Sequence, residues 1–257
     1  MGVLMHLSDL HFGAHDPRVC AAVHALAREL QVSVVVVSGD LTQRATAGQF
    51  AEAHAFIAAL QAPRTVVLPG NHDLPLFAWW ERLGQAYRRY ARWWGDDLEP
   101  VCDAGGFFVV GVNTTRAWRH QRGSLSHAQI VAVAQRLDAA PPDRWRIVVT
   151  HHPLVARHTA DGDHRPHRAG EALVCWRNAG ADLLLSGHAH EPALREVLPG
   201  LWAAHAGTAV SVRLRADAPN SLLTLDDPAS GERRLTRWDF DPGQGVFTRG
   251  GTGILRN

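Results

Sequence analysis

The 257-residue sequence has few cysteines and no apolar run long enough to cross a membrane. Its three cysteines, Cys20, Cys102 and Cys175, are odd in number and widely spaced, which excludes a zinc knuckle and a disulfide framework and favours a reducing compartment. No apolar stretch reaches the roughly 20 residues that a membrane-spanning helix needs. The first residues also lack the basic and apolar regions of a signal peptide. The sequence therefore predicts a cytoplasmic protein.

The sequence also has almost no net charge. Lys and Arg together number 26 and nearly cancel the 25 Asp and Glu, so the distinctly basic surface of a bulk nucleic-acid binder is not expected. Histidine is the exception, because the chain contains 16 of them. Since neutral imidazole is the commonest metal-binding side chain, this excess favours a metal site.

The first 68 residues alternate apolar runs with helical segments. Strands are predicted over 2–7, 32–37 and 64–68, and helices over 18–31 and 46–61. This alternation predicts right-handed crossovers and a parallel sheet.

The remaining sequence continues with mixed elements and then becomes β-rich. Helices are predicted over 76–94, 126–138 and 169–179, and strands over 99–103, 106–112, 146–150 and 182–185. Residues 191–240 carry short apolar alternations broken by Pro and Gly, which predict β-hairpins. The Gly-rich tail, 241–257, is expected to be an edge or poorly ordered. Because no repeat or linker divides the chain, we expect one domain over 1–257.

Five of the predicted strands end in Asp, Asn or His. These residues are Asp9 and His11, Asp40, Asn71 and His72, His151 with His152, and His188 with His190. The carboxyl ends of parallel strands meet at one edge of a sheet, so these side chains are expected to converge. A single Asp or His after a strand is commonly a helix cap or a loop residue, but five separate caps explain the set poorly. The set therefore predicts a site for transition metals.

In order and spacing, these motifs resemble those of the calcineurin-like metallophosphoesterases across residues 1–190. The motifs are Asp9-x-His11, Gly39-Asp40, Gly70-Asn71-His72-Asp73, His151-His152-Pro153 and Gly187-His188-x-His190. The opening His-Leu-Ser-Asp-x-His-Phe-Gly is most similar to bacterial phosphodiesterases of the cyclic-nucleotide type (class III). The acidic-arginine continuation of the Ser/Thr protein phosphatases is missing after Asp40, and Gln43 stands where purple acid phosphatases carry a Tyr iron ligand.

The resemblance implies an α/β fold, a four-layer α/β/β/α sandwich of two mixed β-sheets flanked by helices, in which residues 191–240 complete the second sheet. It also implies two divalent or transition metal ions, with Mn, Fe or Zn favoured because histidine ligands disfavour Mg and Ca. By motif, the first metal would be held by Asp9, His11, Asp40 and His190, and the second by Asp40, Asn71, His151 and His188.

The implied bridging role of Asp40 agrees with elementary chemistry. Two cations roughly 3.5–4 Å apart need an anion between them, and together they lower the pKa of a bridging water so that hydroxide can attack the phosphoryl group. His72 is implied to be a catalytic residue that assists the leaving group rather than a ligand, which is worth roughly 10²–10⁴-fold in rate. Asp73 either orients His72 or caps the next helix.

Substrate contacts are predicted less sharply than metal ligands. Arg116, Arg119 and His120 lie in a polar loop over 113–125, where guanidinium groups suit phosphate capture and a solvated basic loop is the alternative. His152 is expected to lie beside a metal ligand and to touch phosphate. The loop over 155–168 is either a lid or an exposed segment that binds nothing.

The leading hypothesis is a two-metal phosphodiesterase that acts on a small-molecule phosphodiester, with cyclic nucleotides among the candidates. The Trp- and Arg-rich segment 76–94 is most simply core, but it motivates an alternative: a hydrolase of lipid-linked phosphates or pyrophosphates at a membrane surface. A nuclease is disfavoured by the even charge. A non-catalytic interaction scaffold is disfavoured because His72 and every presumed ligand are present. A homodimer is left open.

Overall fold

The computed structural model describes residues 2–76, 79–119, 121–156, 165–215, 218–226 and 233–255. For residues 79, 82 and 83 it describes only the backbone.

The first sheet begins with three parallel strands joined by helices. Strands β1 (Val3–Leu7), β2 (Val34–Val37) and β3 (Arg64–Val67) pair in register, and helices α1 (Pro17–Glu29) and α2 (Ala47–Ala59) connect them. The four valines of β2 are all buried, as expected of a β-branched strand covered on both faces.

The second sheet is built around four parallel strands with an antiparallel strand at each edge. Its order is β4 (Val101–Ala104), β5 (Phe107–Val112), β6 (Trp145–Thr150), β7 (Leu183–Ser186), β9 (Leu201–His205) and β8 (Ala193–Leu198). Helices α5 (His127–Asp138) and α6 (Ala169–Asn178) follow β5 and β6.

Alternate residues of each central strand face different layers. In β2, Val34 and Val36 join the apolar core between the two sheets, where they pack with Val109 and Ile147 of the second sheet. The intervening valines of β2 face the core shared with α1 and α2. A third core lies between the second sheet and α5 and α6. The predicted four-layer sandwich of two mixed sheets is therefore confirmed.

The placement of the C-terminal strands requires a correction. β8 and β9 lie in the second sheet, but β10 (Ser221–Asp226), β11 (Arg233–Asp241) and β12 (Val246–Leu255) extend the first sheet from the edge of β1. The alternation of apolar residues predicts that these segments are strands, but it does not predict which sheet they join. β10 joins β1 because Leu223 and Leu225 then enter the core between the sheets. β12 forms an edge of the first sheet.

The predicted helix over 76–94 is two shorter helices, α3 (Trp79–Gly84) and α4 (Arg88–Trp94). Between them, the hydroxyl of Tyr87 bonds to Thr115, which ties the break to the loop after β5. Tyr90 is buried, and its hydroxyl donates to the carbonyl of Val67 at 2.8 Å. Trp80, by contrast, is 66% exposed, so the aromatic stripe is only partly core. Among the helices of the described ranges, none combines the length and apolar character needed to cross a membrane.

Candidate metal centre

The two sheets bring all the predicted metal ligands to one region of the molecule. Each ligand lies just beyond the carboxyl end of a parallel strand. In the first sheet, Asp9 and His11 follow β1, Asp40 follows β2 and Asn71 follows β3; in the second sheet, His151 follows β6, and His188 and His190 follow β7. A hydrogen bond joins the loops of the two sheets here: the amide of His188, after β7, donates to Oδ2 of Asp9, after β1, at 2.9 Å.

Five of these seven residues have a left-handed backbone. The φ angles are 54° at Asp9, 47° at His11, 52° at Asp40, 66° at His188 and 57° at His190. A non-glycine residue in this conformation costs roughly 1–3 kcal/mol and persists only where the surrounding structure imposes it. Such a concentration of strain in one cluster is typical of a functional site.

The glycines of the motifs let the ligand loops approach one another. A Cβ placed on Gly70 would collide with the amide and Oδ1 of Asp40, and a Cβ on Gly187 would collide with Ser8 and lie 2.6 Å from Oδ2 of Asp9. Neither position has room for a side chain. The close approach of these loops is what places side chains from different strands within contact distance.

The side chains form two adjoining clusters that share Asp40. In the first, Nε2 of His190 lies 3.1 Å from Nε2 of His11 and 3.1 Å from Oδ1 of Asp9. In the second, Oδ1 of Asn71 lies 3.0 Å from Nε2 of His151 and 3.1 Å from Nδ1 of His188.

Asp40 stands between the two clusters. Its Oδ2 lies 3.7 Å from Nε2 of His11, and its Oδ1 lies 3.4 Å from Nε2 of His151. The two oxygens of one carboxylate therefore face different histidines, as a bridging ligand requires.

Backbone carbonyls fix the orientation of two of the histidine rings. A carbonyl can only accept, so Nδ1 of His151 donates to the carbonyl of Ser38 at 2.9 Å, and Nδ1 of His190 donates to that of Arg213 at 3.1 Å. In the neutral ring, each Nε2 then presents its lone pair to the cluster. This is the arrangement found around metal-binding histidines, whose second nitrogen is held by a hydrogen bond.

The charges of the cluster also suit cations. Burial lowers the pKa of His11 to about 4, so this imidazole is neutral at physiological pH. Burial alone would raise the pKa of Asp40, but electrostatic interactions with neighbouring histidines, of which His151 contributes most, hold the pKa of this carboxyl below its usual range. Neutral imidazoles and charged carboxylates are the states that bind metal. The donor set of Asp, Asn and His oxygens and nitrogens thus fits two transition metals.

His72 lies at the margin of both clusters. Its amide donates to Oδ1 of Asp40 at 2.8 Å, its Nδ1 donates to the carbonyl of Gln43 at 3.1 Å, and its ring lies 4.9 Å from that of His11. Gln43, rather than Asp73, therefore orients His72. The carboxylate of Asp73 instead accepts hydrogen bonds from Leu41, Thr42 and Gly70, which caps the short turn Asn71–Asp73 and ties it to the loop after β2.

The predicted substrate contacts fall in different places. His152 is buried, with its ring 4.7 Å from that of His188 and its Nδ1 2.8 Å from the hydroxyl of Thr114. Arg116 uses its guanidinium to hold its own loop, since Nη1 donates to the carbonyls of Asn113 and Thr115. Arg119 lines a separate cavity. His120 and residues 157–164 of the predicted lid lie outside the described residues.

Arg213 is a residue of this site that the motifs did not indicate. It lies in the loop between β9 and β10 and is exposed. Its Nη1 donates to Oε1 of Gln43 at 3.0 Å and lies 3.5 Å from Nε2 of His72. Nothing in the surrounding sequence distinguishes this arginine from others, because only the fold brings its loop to the cluster.

Comparison with known proteins gives one family. Residues 2–192 match the family model of the calcineurin-like phosphoesterases. A curated relative from Rhodopseudomonas palustris, described as a probable cyclic nucleotide phosphodiesterase, is 27% identical over 209 residues, which cover 76% of this chain and 72% of the relative.

Solved structures with a similar fold include enzymes and a protein named for vacuolar sorting. A dimetal phosphatase from Danio rerio matches with a TM-score of 0.70 at 13% identity, over 99% of this chain and 98% of that one. The purple acid phosphatase PPD1 from yellow lupin matches with a TM-score of 0.72 at 13% identity, over 98% of this chain but only 53% of that one. Zinc-bound Vps29 from Entamoeba histolytica matches with a TM-score of 0.53 at 15% identity, over 99% of both chains. At these identities the likeness concerns the fold alone.

Proposed function

Because this chain belongs to the calcineurin-like phosphoesterase family, we propose that it is a two-metal phosphodiesterase that hydrolyses a small phosphodiester, with cyclic nucleotides as the first candidates. One observation carries the proposal: the carboxylate of Asp40 directs its two oxygens to histidines of two different clusters. This geometry places one anionic oxygen at each of two histidine-containing clusters, which suits two cations. The name of the Rhodopseudomonas palustris relative supports the diester substrate.

The residues of the clusters have distinct proposed roles. Asp9, His11, Asp40 and His190 would hold one metal, and Asp40, Asn71, His151 and His188 the other. When bound, the two cations would supply activation of the attacking water and charge stabilisation of the phosphoryl oxygens. The buried positions of Asp9, His11 and His151 hold these donors in place before any ligand arrives, so little reorganisation accompanies binding.

His72 is proposed to act on the departing oxygen. Its Nδ1 is held by the carbonyl of Gln43, so Nε2 is the atom that would exchange a proton with substrate. Arg213 extends its guanidinium to the same Nε2 and would hold a phosphoryl oxygen beside it.

A substrate panel assayed with added Mn tests the proposal. The panel contains cyclic nucleotides, bis(4-nitrophenyl) phosphate, glycerophosphodiesters, a nucleotide-linked lipid, single-stranded DNA and 4-nitrophenyl phosphate as the monoester. We expect turnover of small diesters, at rates that fall to background in Asp40→Asn. A protein that binds no Mn, or that hydrolyses only the monoester, would contradict the proposal.

A further inference from the structure

Three histidine rings meet at the second ligand cluster, but only two of them belong to proposed ligands. The ring centroids of His151, His152 and His188 lie 4.7, 5.0 and 5.2 Å from one another. His151 and His188 each contact Oδ1 of Asn71, and both are proposed to hold the second metal. His152 is as deeply buried as His151, and its Nδ1 contacts the hydroxyl of Thr114. The ring of His152 therefore lies beside both ligands and is held by a different loop.

Thr114 contacts His152 at two atoms. The hydroxyl oxygen accepts a hydrogen bond from the amide of His152 at 3.2 Å and lies 2.8 Å from Nδ1 of its ring. Thr114 is fully buried, so water does not compete for this hydroxyl. Because one oxygen contacts both the backbone and the ring, it restricts rotation of the imidazole. The hydroxyl of Thr114 therefore sets the direction of the His152 ring.

The loop after β5 holds Thr114 in turn. Nη1 of Arg116 donates to the carbonyls of Asn113 and Thr115, the residues on either side of Thr114. The side-chain amide of Gln129, on α5, also donates to the carbonyl of Asn113 at 2.9 Å. Networks in which the buried polar groups are hydrogen-bonded are rigid. The position of the Thr114 hydroxyl is therefore fixed by the loop that carries it.

Gly123 packs directly on the ring of His152. The two ends of the loop after β5 lie together, because the amide of Ser124 donates to the carbonyl of Thr114 at 2.8 Å. A Cβ on Gly123 would lie 2.7 Å from Cγ and from Nδ1 of His152, which is closer than non-bonded atoms approach. The ring in turn packs on that of His188, with 4.7 Å between centroids. His152 thus connects this loop to a proposed metal ligand.

His188 depends on such packing in a way that His151 does not. Nδ1 of His151 donates to the carbonyl of Ser38, and this bond fixes the ring from outside the cluster. Nδ1 of His188 instead faces the cluster, 3.1 Å from Oδ1 of Asn71, so this nitrogen is not free to bond a carbonyl in the same way. Contact with the neighbouring rings therefore contributes to the orientation of His188.

We propose that Thr114 and His152 are positioning residues that hold the ring of His188 for the second metal. The hydroxyl orients the imidazole of His152, and this imidazole orients the imidazole of His188. The inference rests on the proposed function, because it concerns the same metal centre. It makes the loop after β5 a part of that centre.

A change of one hydroxyl tests the proposal. Thr114→Val keeps the shape of the side chain and removes its hydroxyl, whereas Thr114→Ser keeps the hydroxyl. We expect calorimetric titration with Mn to show a second binding step that is roughly 10-fold weaker in Thr114→Val, at the lower end of the loss caused by changes around metal ligands. The first step should be unchanged, and Thr114→Ser should restore the second.

Electron paramagnetic resonance gives a second readout that does not depend on turnover. At one fixed concentration of free Mn, wild type and Thr114→Ser should show the signal of an exchange-coupled Mn pair. Thr114→Val should show a larger share of isolated Mn. A merely structural role of the hydroxyl would lower the melting temperature without changing the ratio of these two signals.

Thr224→Val is the matched control. Thr224, on β10, is also buried, and its hydroxyl accepts a hydrogen bond from Nε1 of Trp238 at 2.9 Å, outside both ligand clusters. This variant should melt at a lower temperature than wild type but keep both Mn affinities. An equal loss of the second Mn in Thr224→Val, or an unchanged second affinity in Thr114→Val, would overturn the proposal.

Gly123→Ala reaches the same ring without removing a polar group. The new methyl group has no room beside His152 and should displace its ring, so the second Mn should again bind more weakly. Gly48→Ala on α2, where a Cβ would have open space, is the control and should bind Mn as wild type does. Wild-type affinity for the second Mn in Gly123→Ala would show that His152 does not position His188. If the second Mn is weakened in Thr114→Val and Gly123→Ala but wild type hydrolyses no diester, the proposed function fails and the positioning role stands.

Discussion

The guanidinium of Arg213 lies 3.5 Å from Nε2 of His72. Because Nδ1 of His72 donates to the carbonyl of Gln43, Nε2 can present a lone pair to Arg213. The backbone carbonyl of Arg213 also accepts a hydrogen bond from Nδ1 of His190. One residue of the β9–β10 loop thus contacts both the proposed catalytic histidine and a proposed metal ligand. Its side chain is exposed and can turn to a substrate without breaking a core contact.

Arg213→Ala should weaken substrate binding. If the guanidinium holds a phosphoryl oxygen, its loss should lower kcat/KM for a small diester by roughly 10- to 100-fold, mainly through KM. Arg213→Lys should recover part of this loss, since an ammonium keeps the charge but not the planar fork. Steady-state kinetics with bis(4-nitrophenyl) phosphate measure both effects.

Arg215→Ala is the matched control, because Arg215 is an exposed arginine two residues further along the same loop. Equal losses of kcat/KM in the two variants would show that substrate binding depends on the loop as a whole and not on the guanidinium beside His72. Metal content should be unchanged in both variants, since Arg213 supports His190 through its backbone carbonyl.

His72→Ala should separate metal binding from turnover. The side chain of His72 belongs to neither of the two ligand clusters, so the variant should keep the wild-type metal content while kcat falls by roughly 10²–10⁴-fold. Elemental analysis and kinetics on the same preparation check the two halves of this prediction. His127→Ala, which removes an exposed histidine on α5, should leave both values unchanged. Full activity in His72→Ala would remove its assigned role.

The sequence predicted the convergence of the metal ligands because strand ends are a local feature. The apolar run of β2 is followed by Ser38-Gly39-Asp40, so the end of this strand can be recognised in the sequence. The carboxyl ends of neighbouring parallel strands lie together at one edge of the sheet. The motifs alone therefore predicted that Asp9, Asp40 and His188 lie in one site.

Contacts between distant loops were not predictable in this way. The interaction of Arg213 with His72 joins residues 141 positions apart through a loop that has no repeating pattern. The pairing of β10–β12 with the first sheet was likewise not predictable, because it depends on which sheet has an unpaired strand edge. The alternation of apolar residues would be the same in either sheet. At the break between α3 and α4, Tyr87 bonds to Thr115, a contact that the 3.6-residue spacing of the aromatic residues does not encode.

Added Mn should raise the thermal stability of the protein, and Asp40→Asn should reduce this effect. A ligand that binds only the folded state stabilises it, by about 2.7 kcal/mol at a hundredfold excess over Kd. Asn in place of Asp40 keeps the shape but removes the anionic bridge, so metal content should fall from two ions per chain to at most one. Melting curves and elemental analysis check this result. An Asp40→Asn protein that still binds two ions would contradict the bridging role.

Asp73→Asn should destabilise the protein even without metal. Oδ2 of Asp73 accepts from the amides of Leu41 and Gly70, and Oδ1 accepts from the amide and the hydroxyl of Thr42. An amide nitrogen in place of either oxygen would face two donors in a fully buried site, and each stranded group costs about 1–3 kcal/mol. Urea unfolding of the metal-free protein measures the loss. Asp16→Asn is the control, since Asn caps α1 as well as Asp does and should leave the unfolding free energy nearly unchanged. Equal stability of the two variants would show that the hydrogen bonds of Asp73 do not hold the loops after β2 and β3 together.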